Sequence, residues 1–302
     1  MKKKVLLTGA SGFIGRQCLA QLSETGVEVH AVSRVCSDTL PGVTWHHENL
    51  LLNGAAIGKL IAELRPSHLL HLAWTAEPGH YWTAPDNFRW VRASLDLLHA
   101  FTENGGQRVV MAGTCAEYDW HYGWCSEGVT PLIPNTVYGT CKHALQLMLQ
   151  TYSQNCALSS AWGRIFFLYG PYEHPSRLIS SVIRSLLQGQ PAACTAGAQV
   201  RDFMHVSDVA SAFVSLLDSP IQGAINIASG QGVSIRDVVV QIAANLGCSE
   251  LVKLGEIPMN PMDPPLLLAD VRRLTDELGW SPSMTLERGL DATIQWWRSQ
   301  LL

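Results

Sequence analysis

No two cysteines of this chain stand at C-x-x-C spacing and no H-E-x-x-H occurs, so two common signatures of metal and redox sites are missing. The eight cysteines (Cys18, Cys36, Cys115, Cys125, Cys141, Cys156, Cys194 and Cys248) are scattered, several in apolar patterns where a thiol acts as a small hydrophobe. A reduced, cytoplasmic compartment is the simplest reading. His46-His47-Glu48 sets its histidines side by side instead of a helical turn apart, and no metal is expected. No apolar run is long and uninterrupted enough to span a membrane. No signal peptide is evident before the first strand. Basic residues are few: the net charge is −4 at pH 7, and the only basic run, Lys2-Lys3-Lys4, reads as a solvated lead into a strand. That argues against a general binder of nucleic acid, which would show a basic face. Repeats and low-complexity tracts are absent as well. What remains is a chain of 302 residues, 47% hydrophobic and 15% charged, able to bury a sizeable core in one large or two closely joined domains.

The chain is organised around Thr8-Gly9-Ala10-Ser11-Gly12-Phe13-Ile14-Gly15. Lys4-Val5-Leu6-Leu7 before it reads as a buried strand, and Arg16 to Leu22 after it carries apolar residues at helical spacing. In a strand-to-helix turn, Gly9 permits the tight turn, Gly12 leaves room for a pyrophosphate, and Gly15 lets the helix pack on the strand. The helix N-terminus, with Ser11, Phe13 and Ile14 around it, then offers N–H groups to phosphate.

Strands and helices alternate onward. Strands are expected at Glu28–Val32, Val43–His46, Ser67–Leu72, Gln107–Ala112 and Leu158–Phe166, with helices at Ala55–Leu64, Asn87–Asn104 and Asn135–Gln154. The alternation predicts an α/β fold, a doubly wound parallel (Rossmann) sheet over residues 1–166. After Tyr169-Gly170-Pro171 prolines and glycines cluster, and residues 167–302 read as a smaller, less regular substrate domain, some of whose segments return to the sheet.

The second strand ends at Ser33-Arg34, where an acidic residue would bind the 2′-hydroxyl of NAD. Arg34 can instead pair with the 2′-phosphate of NADP, so NADP(H) is preferred and NAD(H) remains possible; the alternative is an exposed arginine without a ligand. Asn49, followed by Leu50, either accepts a hydrogen bond from adenine or is an ordinary turn residue. Leu72 and Ala73 end the fourth strand where the cofactor should pass, and His71 is either part of that wall or a buried, satisfied histidine.

Tyr138 and Lys142 stand four apart, on one helix face. A lysine ammonium there would lower the tyrosine pKa and hydrogen-bond the nicotinamide ribose, and the tyrosine would exchange a proton with a carbinol oxygen. Thr114, after the fifth strand, would hold that oxygen, or else merely cap a turn. Two aromatic stretches, Trp74–Trp82 and Tyr118–Trp124, follow strand ends. They stack on a hexose face, with His80, Tyr81 and Trp120 as contacts, or pack on each other.

Taken in order, T-G-A-S-G-F-I-G, H-L-A, Y-G-T-C-K, L-Y-G-P and R-D-F-M-H-V-S-D-V-A resemble the extended short-chain dehydrogenase/reductases. More narrowly they resemble the NAD(P)-dependent epimerase/dehydratase family that acts on nucleotide sugars, over nearly the whole chain. The resemblance implies Thr114, Tyr138 and Lys142 as a catalytic triad and Gly9, Gly12 and Gly15 as a phosphate loop. It implies Arg201 as a contact to the substrate's diphosphate, Asn87 as a structural asparagine, and a homodimer formed through the helices that begin near Asn87 and Asn135. The family's dehydratases carry an Asp-Glu pair after the catalytic Ser/Thr, where this chain has Cys115 and Ala116; Glu117, one position on, points elsewhere if strand alternation continues. With Arg34, this favours reduction of a nucleotide-linked 4-keto-6-deoxy sugar, a step of deoxysugar biosynthesis. A sugar-nucleotide epimerase with tightly held NAD and a non-catalytic cofactor-binding regulator are the alternatives.

Overall fold

The computed structural model describes residues 3–35 and 40–301; Lys2 of the basic run and Cys36 lie outside them. The first part of the chain forms β1 (Lys4–Thr8), α1 (Phe13–Glu24), β2 (Glu28–Ser33), β3 (Val43–His47), α2 (Gly54–Leu64), β4 (His68–His71), α3 (Asp86–Glu103) and β5 (Arg108–Thr114). It continues through β6 (Trp124–Cys125), α4 (Val137–Asn155), β7 (Ser159–Ile165) and β8 (Phe167–Tyr169). The remainder forms α5 (Leu178–Leu187), β9 (Ala192–Cys194), β10 (Val200–His205), α6 (Val206–Asp218), β11 (Gly223–Ile227), β12 (Gly232–Ser234), α7 (Ile235–Leu246), β13 (Val252–Leu254), β14 (Leu266–Ala269) and α8 (Leu286–Leu301).

Seven strands make one sheet in the order β3-β2-β1-β4-β5-β7-β11, and every neighbouring pair is parallel. The order reverses direction at β1, which is the doubly wound Rossmann arrangement, with the cleft for ligands at the carboxyl ends of the strands. A parallel sheet is covered on both faces, so its strands read as continuous apolar runs. Val5, Leu7, Val29, Ala31, Leu70, Val110 and Ala161 pack on one face with residues of α1 and α6. Leu6, Leu69, Val109, Met111 and Trp162 pack on the other with residues of α2, α3 and α4. The sheet extends beyond residue 166: α6 covers it and β11 closes its edge against β7.

The smaller lobe has its own core, in which Ile179, Val182 and Ile183 of α5 meet Val238, Val239 and Ile242 of α7 and Leu290, Ile294 and Trp297 of α8. A second sheet, β12-β10-β14-β6, with β8 beside β10, joins this lobe to the loop after β5. Among the described residues no helix is long and apolar enough to cross a membrane, and no group of His, Cys, Asp or Glu is arranged to hold a metal ion.

Candidate active site

The glycine turn joins β1 to α1. Gly9 has φ +72°, and a Cβ there would stand 2.7 Å from the backbone nitrogen of Ala73, which places Leu72 and Ala73 against the turn. A Cβ on Gly15 would stand 2.0 Å from the Gly9 carbonyl oxygen, so only glycine lets the helix start this close to the strand. Gly12 is exposed, and the one atom its Cβ would approach is that same carbonyl, at 3.0 Å. The first-turn N–H groups of α1 at Phe13, Ile14 and Gly15 have no acceptor within the helix. An open glycine at the start of a helix, with no side chain in the way, fits a dinucleotide's pyrophosphate. The hydroxyls of Ser11 and Ser33 hydrogen-bond to each other, tying the turn to the end of β2. Arg34, the next residue, is exposed beyond β2.

Two residues on this side have structural duties. Asn49 Oδ1 accepts the Leu51 N–H at 3.0 Å, which is the turn reading, and Leu50 is buried in the core. His71 is buried between two hydroxyls: Thr8 Oγ1 donates to Nδ1 at 2.7 Å and Nε2 donates to Ser94 Oγ at 2.8 Å, which donates on to Trp90 O at 2.7 Å. Burial, with the nearby Lys142 charge, holds its pKa down at about 3, so His71 is the satisfied, neutral histidine.

At the end of β5 the chain does not continue as a strand. It enters a single 3-10 turn, Cys115–Glu117, capped by Thr114, whose hydroxyl accepts the Ala116 N–H at 3.2 Å. Glu117 folds back and accepts the Thr114 N–H at 2.8 Å, the Trp162 indole N–H at 2.8 Å and Arg164 Nε at 2.8 Å. This ion pair is fully enclosed. Glu117 is therefore shut in with Arg164 and Trp162 because the strand ends, not because its alternation continues. Cys115 is buried, and burial pushes its thiol pKa up. Gly139 of α4 lets the helix rest on this turn, since a Cβ there would meet the Ala116 carbonyl oxygen at 2.4 Å.

That contact brings Tyr138 to Thr114. The Tyr138 ring is ringed by aromatics, with centroids 4.8 Å from Tyr81, 5.8 Å from Trp82 and 6.3 Å from Trp74. Burial raises its pKa, and only the hydrogen bond with Thr114 opposes this among the principal influences. The expectation of a phenol lowered by Lys142 is corrected here: the ring lies in an apolar box, and Lys142 is engaged elsewhere. Lys142 Nζ donates to Ala112 O at 2.8 Å and stands 3.8 Å from the Trp74 ring centroid. Lys142 is 4% exposed, and burial draws its pKa down to about 7 against the pull of Glu117.

On the substrate side, Tyr81 is buried and its ring lies tilted against Trp82 with centroids 4.3 Å apart, and Trp120 meets Trp82 edge-on at 6.1 Å while donating to Cys115 O at 2.8 Å. His80 is exposed, and no hydrogen bond or ring contact among the described residues joins it to Tyr138. The Arg201 guanidinium is buried and paired with Asp263 at 2.7 Å; its charge also acts on the Cys115 thiol. Sequence reasoning missed Arg177, whose guanidinium lies 5.4 Å from the Tyr81 ring and hydrogen-bonds its hydroxyl, opposing the burial that pushes that phenol up to about 12. Trp74 was expected only as part of an aromatic stretch for the sugar, and its contact with Lys142 was missed. The signal available for Trp74 was its place directly after His71-Leu72-Ala73; for Arg177 there was none in the local pattern.

Residues 5–228 match the model of the NAD dependent epimerase/dehydratase family. Among curated proteins, UDP-glucuronic acid decarboxylase 1 of Xenopus tropicalis is 29% identical over 99% of this chain and 73% of its own length. CDP-abequose synthase of Salmonella typhimurium is 25% identical over 98% of each chain. Among solved structures, MoeE5 in complex with UDP-glucuronic acid and NAD is 30% identical, with a TM-score of 0.85 over 98% of this chain and 99% of that one. The UDP-N-acetylglucosamine 4-epimerase of Methanobrevibacter ruminantium is 25% identical, with a TM-score of 0.88 over 99% of this chain and 100% of that one.

Proposed function

Because the chain belongs to the NAD-dependent epimerase/dehydratase family, whose members here act on nucleotide sugars, we propose that it is an NADPH-dependent reductase of a nucleotide-linked 4-keto-6-deoxy sugar. The observation that carries the reading is a contrast within the site. Thr114, Tyr138 and Lys142 are kept and gathered, while the places where an eliminating enzyme needs an acid and a base hold Cys115 and Ala116, and Glu117 is shut in with Arg164. Removing water from a sugar needs both groups beside the substrate; adding a hydride and a proton to a ketone needs one proton donor.

The nicotinamide, when bound, supplies the hydride. The Thr114 hydroxyl holds the ketone oxygen. Tyr138, kept protonated by its apolar box, gives its proton to that oxygen. Lys142, as an ammonium, would donate to the ribose hydroxyls of the bound cofactor. With its pKa near 7, it loses charge above neutral pH, so turnover falls on the alkaline side. The aromatic wall of Tyr81, Trp82 and Trp120 supports a sugar with an apolar 6-methyl edge, and Arg201, exchanging Asp263 for phosphate, would hold the diphosphate. Arg34, Ser33 and Ser11 would line the adenosine end. A homodimer through α3 and α4 belongs to the same proposal, supported by an apolar groove lined by Leu95, Leu98, Met148 and Tyr152 on those helices.

A nucleotide-sugar epimerase is the second reading, favoured by the solved relatives that carry NAD. The two readings part on cofactor consumption. Mixed with a panel of nucleotide-linked 4-keto-6-deoxyhexoses, a reductase removes NADPH absorbance with one of them. No loss with any member, together with NAD released on denaturing the protein, supports the epimerase instead.

A further inference from the structure

Lys142 is a buried charge without an acid of its own. Ala112 O of β5 takes one of its N–H groups, and no carboxylate among the described residues ion-pairs with it. Glu117, whose charge acts on it, has its oxygens on Thr114, Trp162 and Arg164. From β4 it faces His71, neutral and bonded through both ring nitrogens; from β7 the Trp162 ring lies 5.9 Å away; and on α4 it shares a face with the phenol of Tyr138.

The remaining neighbour is Trp74, and its indole is held in place from several directions. Its N–H donates to Asn87 Oδ1 at 2.9 Å, and the Asn87 amide is tied to Tyr81 O at 2.8 Å and Ala84 O at 2.9 Å. The ring stacks on Trp90, with centroids 5.9 Å apart and planes 23° apart, and Trp90 is pinned by its own N–H on Thr75 Oγ1 at 3.0 Å. Lys142 Nζ stands over this fixed ring at 3.8 Å, and Tyr138 meets the ring edge-on. A tryptophan face is the strongest of the aromatic partners for an ammonium, and most so where water is excluded.

We propose that Trp74 is a positioning residue that holds the Lys142 side chain in the closed site and keeps it an ammonium, so that Trp74 sets the pH range in which Tyr138 and Lys142 work together. The part concerning turnover rests on the reductase reading. The part concerning the lysine does not, and it can be read from stability alone. The unfolded chain keeps the Lys142 proton up to its ordinary pKa of 10.5, whereas the folded protein releases it near 7. Between those values the unfolded state binds more protons, so stability rises with pH across that window.

The experiment is denaturant unfolding of the full chain from pH 5 to pH 10 for wild type, Trp74→Leu and Trp74→Phe, each also in a Lys142→Met background. In Trp74→Leu the rise begins about one pH unit lower, because the ammonium has lost its aromatic face. Trp74→Phe shows a smaller shift in the same direction, and it carries the test if the leucine variant does not fold. In the Lys142→Met background neither substitution moves the curve. An onset that stays put, or a shift that persists without Lys142, overturns the proposal. A wild type with no turnover on any ketone counts against the reductase reading and leaves the titration result standing.

Discussion

The two sides of the β5 carboxyl end bury charge at the same depth and settle it in opposite ways. On one side Glu117 and Arg164 neutralise each other, and Trp162, the Thr114 N–H and the Tyr118 hydroxyl fill their remaining positions. Tyr118 passes the network to Asn226, which holds the carbonyls of Cys125 and Asp270. On the other side Lys142 has one carbonyl and the face of Trp74, and Tyr138 has Thr114 and a wall of rings. The first side is complete and serves as a frame: it fixes the turn that presents Thr114. The second retains unmatched donors, which is what a group that must pass a proton or bind a ribose requires. A buried charge with all its partners holds a fold in one conformation, while a buried charge short of them is available for chemistry.

The largest effect is expected from breaking the frame. Glu117→Ala leaves the Arg164 guanidinium buried and unpaired, which costs about 3–5 kcal/mol of stability in denaturant unfolding. A loss well below 1 kcal/mol would mean that the network is not holding the turn. Removing the charge from the other side should act in the opposite sense. Lys142→Met, similar in length, abolishes turnover yet raises stability by on the order of 3 kcal/mol at pH 6, and the gain shrinks as pH climbs from 7 toward 10.5, where the folded wild type is already neutral and the unfolded chain is losing its proton. Unfolding curves at pH 6 and pH 9 check both sign and trend. The smallest effect belongs to an exposed charge. Arg34→Ser should reduce the preference for NADPH over NADH by roughly tenfold, measured as a ratio of dissociation constants, with stability unchanged. An unaltered ratio would remove Arg34 from the cofactor site.

The glycine turn was legible in the sequence because its geometry is a property of the backbone: Gly9 needs its positive φ and Gly15 its close approach, and both requirements follow from a strand meeting a helix within a few residues. The Tyr138–Lys142 face was legible for the same reason, being one helical turn apart. What was hidden came from chain segments that only the assembled sheet brings together. Trp74 reaches Lys142 across 68 positions, and the role of Asn87 in holding that indole depends on where α3 lies. Glu117 points elsewhere as expected, but the reason was hidden: β5 ends and a 3-10 turn begins, and Gly113, where a Cβ would stand 2.0 Å from the Trp162 indole nitrogen, marks the room made for that carboxylate. Arg201 matched its motif, but its partner Asp263 stands 62 residues on, after a proline-rich stretch with no periodic pattern to place it.

The most direct test of the claim that the incomplete side carries the chemistry is a single-turnover measurement of hydride transfer in Tyr138→Phe against wild type, with the panel of nucleotide-linked 4-keto-6-deoxyhexoses. The account predicts that the variant binds NADPH as wild type does and transfers hydride at least a hundredfold more slowly, because the phenyl ring keeps the aromatic box and loses only the proton. Hydride transfer at the wild-type rate would contradict it, and would assign the proton to another group in the cleft.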